Sequence, residues 1–208
     1  MGKAAAAFLL LAGPVCADPV TVLALGDSLT QGYGLPAEDG FVPQLQAWLR
    51  GQGADVVVIN GGVSGDTTAG GAARADWSLT PDVDRMILAL GGNDLLRGID
   101  PDVSRANLEV ILKAAAARDV EVLLVGMQAP GNYGADYKAA FDAIFPDLAQ
   151  TYGTLYHDSF FSGLGADDPA ALARYAQDDG IHPNAKGVAR IVEAISPAVL
   201  KLIDAEGE

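Results

Sequence analysis

Two short strings at opposite ends of the chain carry residues able to do chemistry together. Gly26-Asp27-Ser28-Leu29 ends an early hydrophobic run, and Asp179-Gly180-Ile181-His182 lies near the far end. A serine hydroxyl is a weak nucleophile until a neighbouring base takes its proton, and imidazole serves that role near neutral pH. The chain has two histidines, His157 and His182. Asp179 stands three residues before His182, close enough for its carboxylate to reach back to the ring within one tight turn through Gly180. Such a bond would set the ring tautomer and leave the second nitrogen to accept a serine proton. Ser28, His182 and Asp179 are therefore candidates for a hydrolytic triad. Each also has a plainer reading. Ser28 after Asp27 fits a helix N-cap, and Asp179 with Asn184 fits a cap on the last helix. Asp178 competes as the carboxylate at a less suitable spacing. His157, within Tyr156-His157-Asp158, reads as a strand-end residue without a catalytic role.

Acyl transfer also needs donors for a developing oxyanion, usually its largest stabilising contribution. The Ser28 backbone N–H is one candidate. Gly65, within Val63-Ser64-Gly65-Asp66-Thr67, is a second, because a glycine lets the backbone approach a ligand. The Asn93 side-chain amide, after Gly91-Gly92, is a third. Taken singly, Gly65 reads as a turn and Asn93 as a residue tolerant of left-handed backbone. The serine does not sit in a G-x-S-x-G elbow, since Thr30 stands at the second glycine position, which argues against the α/β-hydrolase family.

The elements that must position these residues alternate strand and helix. Val20 to Leu25, Asp55 to Ile59, Arg85 to Leu90 and Val120 to Val125 are short apolar runs with strand character, and a shorter fifth strand is expected near Leu155. Phe41 to Arg50, Pro101 to Arg118, Ala135 to Tyr152 and Ala185 to Ala205 read as helices, the last containing Pro197. Continuous apolar strands separated by helices predict an α/β fold: a three-layer α/β/α sandwich around a parallel sheet of about five strands. Ligands in such sheets bind beyond the carboxyl ends of the strands. Ser28, Gly65 and Asn93 follow the first, second and third strands, so their loops are expected to meet at one edge.

Composition bounds the rest. The chain has 208 residues, half of them hydrophobic, and a formal net charge of −14. That charge repels phosphate backbones and anionic lipid headgroups, so no nucleic-acid partner is expected. Lys3, the apolar stretch Ala4 to Ala12 and Val15-Cys16-Ala17 form a secretory signal pattern, with cleavage expected after Ala17. Residues 18–208 are then expected to form a single domain in the periplasm or medium, without a stable membrane anchor. Bulky Val15 disfavours lipidation of Cys16, and losing that sole cysteine leaves no disulfide or thiolate. Two histidines with no histidine–carboxylate helix motif argue against a zinc site.

Together the strings resemble the signature blocks of the SGNH, or GDSL-type, hydrolase family. Gly26-Asp27-Ser28-Leu29, Gly65 within Ser64-Gly65-Asp66-Thr67, Gly92-Asn93-Asp94 and Asp179 to His182 occur in the family's order and span most of the mature chain. Leu96-Arg97-Gly98, Asn132-Tyr133-Gly134 and Gln177 to Asn184 are similar to the multifunctional periplasmic thioesterase, lysophospholipase and arylesterase branch. The resemblance implies a flavodoxin-like fold, with Ser28 as nucleophile, His182 as base and Asp179 as its orienter. It implies an oxyanion hole of Ser28, Gly65 and Asn93, and no metal or organic cofactor. Substrates would be acyl esters and thioesters, aryl esters and lysophospholipids. The groove would be walled by Asp94 to Gly98 and Met127 to Gly134, with Leu95, Ala129, Pro130 and Tyr133 as candidate lining residues. Two alternatives stay open. One is a carbohydrate acetyl esterase of the same family. The other is a non-catalytic protein holding a small anion in its glycine-rich loops.

Overall fold

The computed structural model describes residues 18–165 and 173–205. The expected signal segment, residues 1–17, lies outside the described residues. Five parallel strands form one sheet: β1 (Val20–Gly26), β2 (Val56–Gly62), β3 (Arg85–Ala89), β4 (Glu121–Val125) and β5 (Leu155–His157). Their order is β2-β1-β3-β4-β5, the flavodoxin-like order in which the chain reverses direction across the sheet between β1 and β3. The last five residues of β1 and the last four of β3 and of β4 are buried. Covering on both faces explains why these strands read as unbroken apolar runs rather than alternating ones.

The principal helices are α1 (Ser28–Gln31), α2 (Phe41–Gly51), α3 (Thr68–Ser78), α4 (Gly92–Leu96), α5 (Pro101–Ala116), α6 (Ala135–Tyr152) and α7 (Ala185–Asp204). Helices α2 and α7 pack together, while α5 packs between α3 and α6. Leu45 and Leu49 of α2 and Ile191, Ile195 and Val199 of α7 are fully buried, as are Leu108 and Ile111 of α5 and Phe141 of α6. The periodicity of these residues gives each helix one apolar stripe against the sheet. No helix among the described residues is long and apolar enough to cross a membrane.

Most element ends fall within one or two residues of the expected positions. Two differences bear on the site. Strand β2 continues through Asn60-Gly61-Gly62, paired with β1 as far as Gly26↔Gly62. These three residues lack strand character, but the β1 ladder carries them. Gly62 is required there, because a Cβ would lie 2.3 Å from the Gln31 nitrogen and 2.8 Å from the Asp27 carbonyl. Helix α3 was not expected at all. Its Gly70-Gly71 pair weakens helix propensity by about 1 kcal/mol per residue. Two features offset that loss. The Thr67 side chain caps Gly70 N–H, and Thr68 is fully buried against Asp94, donating to it through both backbone N–H and hydroxyl.

Candidate active site

The sheet register assembles the site. Gly26 pairs with Gly62 on one side and with Ala89 on the other, so the loops leaving β1, β2 and β3 begin level with one another. Asp27 is the N-cap of α1, its Oδ1 accepting from Leu29 N–H at 3.0 Å. Ser28 is the first residue of that helix and is 8% exposed. The Leu29 N–H is taken by that cap, and the Ser28 N–H has no partner among the described residues.

His182 meets Ser28 across 154 positions of sequence, with Nε2 2.9 Å from Oγ. Its Nδ1 lies 2.6 Å from Asp179 Oδ2. Asp179 Oδ1 also accepts from the N–H groups of Ile181 and His182, both at 2.9 Å. Those bonds favour the ionised carboxylate, led by the His182 backbone N–H, and hold its pKa near 2. With Asp179 charged, Nδ1 carries the proton and Nε2 is free to accept from the serine. Gly180, at φ 68°, makes the turn that folds the carboxylate back onto the ring.

Backbone and side-chain hydrogen bonds from Gln177 and Asn184, and the ring of Tyr33, hold this loop. Gln177 N–H donates to the His182 carbonyl at 2.8 Å, and Asn184 N–H donates to the Tyr175 carbonyl at 2.7 Å. The Gln177 side-chain amide reaches the carbonyls of Tyr33 and Pro183, tying the histidine loop to the segment after α1. The Tyr33 ring packs on the imidazole with centroids 4.7 Å apart. Nothing in the sequence marks Tyr33, and the Gln177 to Asn184 string does not show what Gln177 holds, since both act across tertiary contacts. His157 lies on β5 away from this cluster; its Nε2 is buried without a partner, and burial lowers its pKa.

The oxyanion candidates converge on the same point. Val63 to Asp66 forms a turn closed by Asp66 N–H donating to the Val63 carbonyl at 3.1 Å, with Gly65 at φ +82°. That conformation suits a glycine at the third position of a turn. Arg97 holds the Gly65 carbonyl at 2.9 Å, and the Gly65 N–H has no partner among the described residues. Arg74, largely buried, bonds Asp66 at 2.7 Å and the Gly26 carbonyl at 2.8 Å, fixing the turn to the end of β1. Asn93, in the first turn of α4, donates from Nδ2 to Asp27 Oδ2 at 3.2 Å. Asp27 is 1% exposed, and burial pushes its pKa up to about 6 against the opposing hydrogen bonds from Leu29 and Asn93. Asp94 accepts from Thr68 and Ser104 and braces the loop from beneath.

These groups line a cleft of about 370 Å³ whose apolar walls include Leu95, Leu96, Met127, Phe161 and Ile181. Of the expected groove residues, Leu95 lines the cleft and Pro130 lines an adjoining apolar groove beyond Leu96, Phe161 and Ile181. Ala129 and Tyr133 line neither. Ala129 is 2% exposed and its N–H is bound by Asp142. Tyr133 turns to Tyr137, with ring centroids 5.0 Å apart, and donates to the Leu96 carbonyl. The Met127 to Gly134 segment therefore walls the groove only in part. Met127, Gln128 and Pro130 line open space at the site, whereas Asp142 holds Ala129 and Tyr137 holds Tyr133 away from it.

A nucleophile hydrogen-bonded to a base, an orienting carboxylate and nearby backbone and amide donors are the parts of an acyl-transfer centre. Comparison with known proteins gives the same direction. A sequence model of the GDSL-like Lipase/Acylhydrolase family matches residues 24–190. Esterase TesA of Pseudomonas aeruginosa is 36% identical over 184 residues, covering 88% of this chain and 89% of that protein. Thioesterase 1/protease 1/lysophospholipase L1 of Escherichia coli K12 is 36% identical, covering 85% of this chain and 82% of its own length. The crystal structure of AlinE4, an SGNH-hydrolase family esterase, is 41% identical with a TM-score of 0.73, covering 92% of this chain and 100% of that one. The protein belongs to the GDSL-like lipase/acylhydrolase family.

Proposed function

We propose that the protein is a serine esterase that hydrolyses carboxylic esters and thioesters through an acyl-enzyme on Ser28. The observation that carries this reading is the continuous path from Ser28 Oγ through His182 to Asp179, with contacts of 2.9 and 2.6 Å. Ser28 Oγ attacks the acyl carbonyl carbon as His182 Nε2 takes its proton. The carbonyl oxygen becomes an oxyanion held by the N–H groups of Ser28 and Gly65 and by the Asn93 amide. The C–O or C–S bond then breaks, His182 returns the proton to the departing alcohol or thiol, and the acyl group stays on Ser28. Water attacks the acyl-enzyme with His182 again as base, and the acid leaves with Ser28 regenerated. Asp179 stays ionised throughout and stabilises the imidazolium.

Small acyl and aryl esters, acyl thioesters and lysophospholipids fit the apolar walls of the cleft and the names of the similar proteins. The residues in place account for each step without a metal or organic cofactor. Tyr133, the aromatic side chain on which sugar stacking in an acetylated carbohydrate would rest, faces Tyr137, so the lead reading is preferred. The N-terminal pattern of residues 1–17 supports export of a single domain spanning residues 18–208. Ser28→Ala should lower turnover of a chromogenic short-chain ester by several orders of magnitude with an unchanged thermal transition. A fluorophosphonate probe should label Ser28 alone. Full activity in Ser28→Ala overturns the assignment. Initial rates on acyl esters from acetyl to palmitoyl, with acyl-CoA and lysophospholipid alongside, give the substrate preference.

A further inference from the structure

Asp27 takes no part in the proton path, yet it is one of three buried charged residues among the described residues, 1% exposed at the wall of the cleft. Both of its oxygens are used as acceptors. Oδ1 accepts from Leu29 N–H at 3.0 Å, and Oδ2 accepts from Asn93 Nδ2 at 3.2 Å. Gly92 leaves the necessary room, since a Cβ there would lie 3.3 Å from Oδ2. An ionised carboxylate only accepts, whereas a side-chain amide has one end that donates and one that accepts. Asp27 therefore decides which end of Asn93 is turned toward it. One hydrogen of the Asn93 NH2 goes to Oδ2, and the other remains for a ligand. Turning the amide over would set its oxygen against a carboxylate oxygen in a water-poor setting, an arrangement with no compensating bond.

We infer that Asp27 is the positioning residue of the oxyanion hole: its two acceptor oxygens fix the Asn93 amide with its donor end at the reacting carbonyl and the first turn of α1 with the Ser28 N–H beside it. This inference rests on Ser28 being the nucleophile. It requires two acceptors at position 27, not merely a polar side chain. The two donors lie on different carboxylate oxygens, so an asparagine there that turns its oxygen to one of them turns an NH2, which only donates, to the other. A serine retains the cap on α1 and has nothing to hold Asn93.

The test is a kinetic cycle in the full protein with a soluble chromogenic ester. Asn93→Ala, Asp27→Asn and Asp27→Ser should each lower kcat by about 100- to 1,000-fold, the effect of removing one oxyanion donor. KM should stay within about threefold, because the ground-state carbonyl gains little from these donors. Combined with Asn93→Ala, neither Asp27 substitution should lower kcat by more than about a further threefold, since both act through the same amide. A role limited to fold stability would instead move the thermal transition, and its effect on rate would multiply with Asn93→Ala. If Asp27→Asn does not fold, Asp27→Ser decides, because its cap is intact. Near-wild-type kcat in the folded Asp27 variants, or multiplying losses in the double variants, overturns the inference. Ser28→Ala is run beside them. Activity surviving in Ser28→Ala refutes the nucleophile, whereas an inactive Ser28→Ala with fully active Asp27 variants refutes only the role of Asp27.

Discussion

Replacing Asp179 by Asn separates the charge of the orienting group from its shape. Asp179 Oδ1 takes both loop N–H groups, from Ile181 and His182, and Oδ2 alone faces His182 Nδ1. An asparagine can keep its oxygen on the two N–H groups, so the turn through Gly180 persists. Its NH2 then faces Nδ1 at the former 2.6 Å contact and can only donate. Nδ1 must accept, the ring proton moves to Nε2, and the nitrogen 2.9 Å from Ser28 Oγ can no longer take the serine proton. A tautomer reversal of this kind lowers kcat by roughly 10⁴ at neutral pH, about 5 kcal/mol of transition-state stabilisation. The two N–H contacts that shape the turn survive the substitution, so the fold persists and the loss falls on the rate. The assay is kcat and KM on a soluble p-nitrophenyl ester, with a thermal melt on the same sample. Asp178→Asn is the matched control, since the ring is bonded to Asp179, and it should leave kcat within about threefold. Asp179→Asn retaining more than a tenth of wild-type kcat, or Asp178→Asn losing as much, refutes the relay as built.

Two further predictions follow from groups around the relay. Arg97→Ala frees the Gly65 carbonyl from its 2.9 Å bond and should lower kcat by about five- to tenfold, the equivalent of one hydrogen bond of about 1 kcal/mol; an unchanged kcat would show that the turn holds Gly65 without it. Asp27 gives a pH signature in stability. Its folded pKa, about 6, lies above its ordinary 3.8, so its contribution is fully present below pH 3.8 and is lost as pH rises through 6. That shift corresponds to about 3 kcal/mol. Urea unfolding at pH 4 and pH 7 should show wild type losing most of this relative to Asp27→Asn, and parallel pH dependence in the two proteins would refute it. Asp179 acts in the opposite direction: its folded pKa near 2 makes its contribution present above 3.8 and lost as pH falls through 2.

Local patterns carried much of the architecture. Unbroken apolar runs such as Val22 to Leu25 and Met86 to Leu90 have no polar residue to place in water, which commits them to a sheet covered on both faces. No local pattern marks helix α3, because its stability comes from Thr68 buried against Asp94 and from packing on α5, not from its own glycine-interrupted sequence. The same division holds in the cleft. Leu95 and Pro130 face open space, while Ala129 and Tyr133 are drawn away by Asp142 and Tyr137 on a helix that no local pattern relates to the loop.

For the site, residue types and short spacings set which chemistries were available. A scarce imidazole with a carboxylate three residues away is a local relation, because one glycine turn is enough to join them. The alignment of Gly26, Gly62 and Ala89 is not local. Parallel pairing of three strands far apart in the chain sets it, and with it the meeting of Ser28, Gly65 and Asn93. Contacts between distant segments establish that Arg97 holds Gly65, that Tyr33 and Gln177 support the histidine loop, and that Asp27 caps α1 with one oxygen and holds Asn93 with the other. The reason is physical. Sequence spacing constrains what one turn can bring together, but a hydrogen bond between two loops depends on where the sheet has already placed their ends.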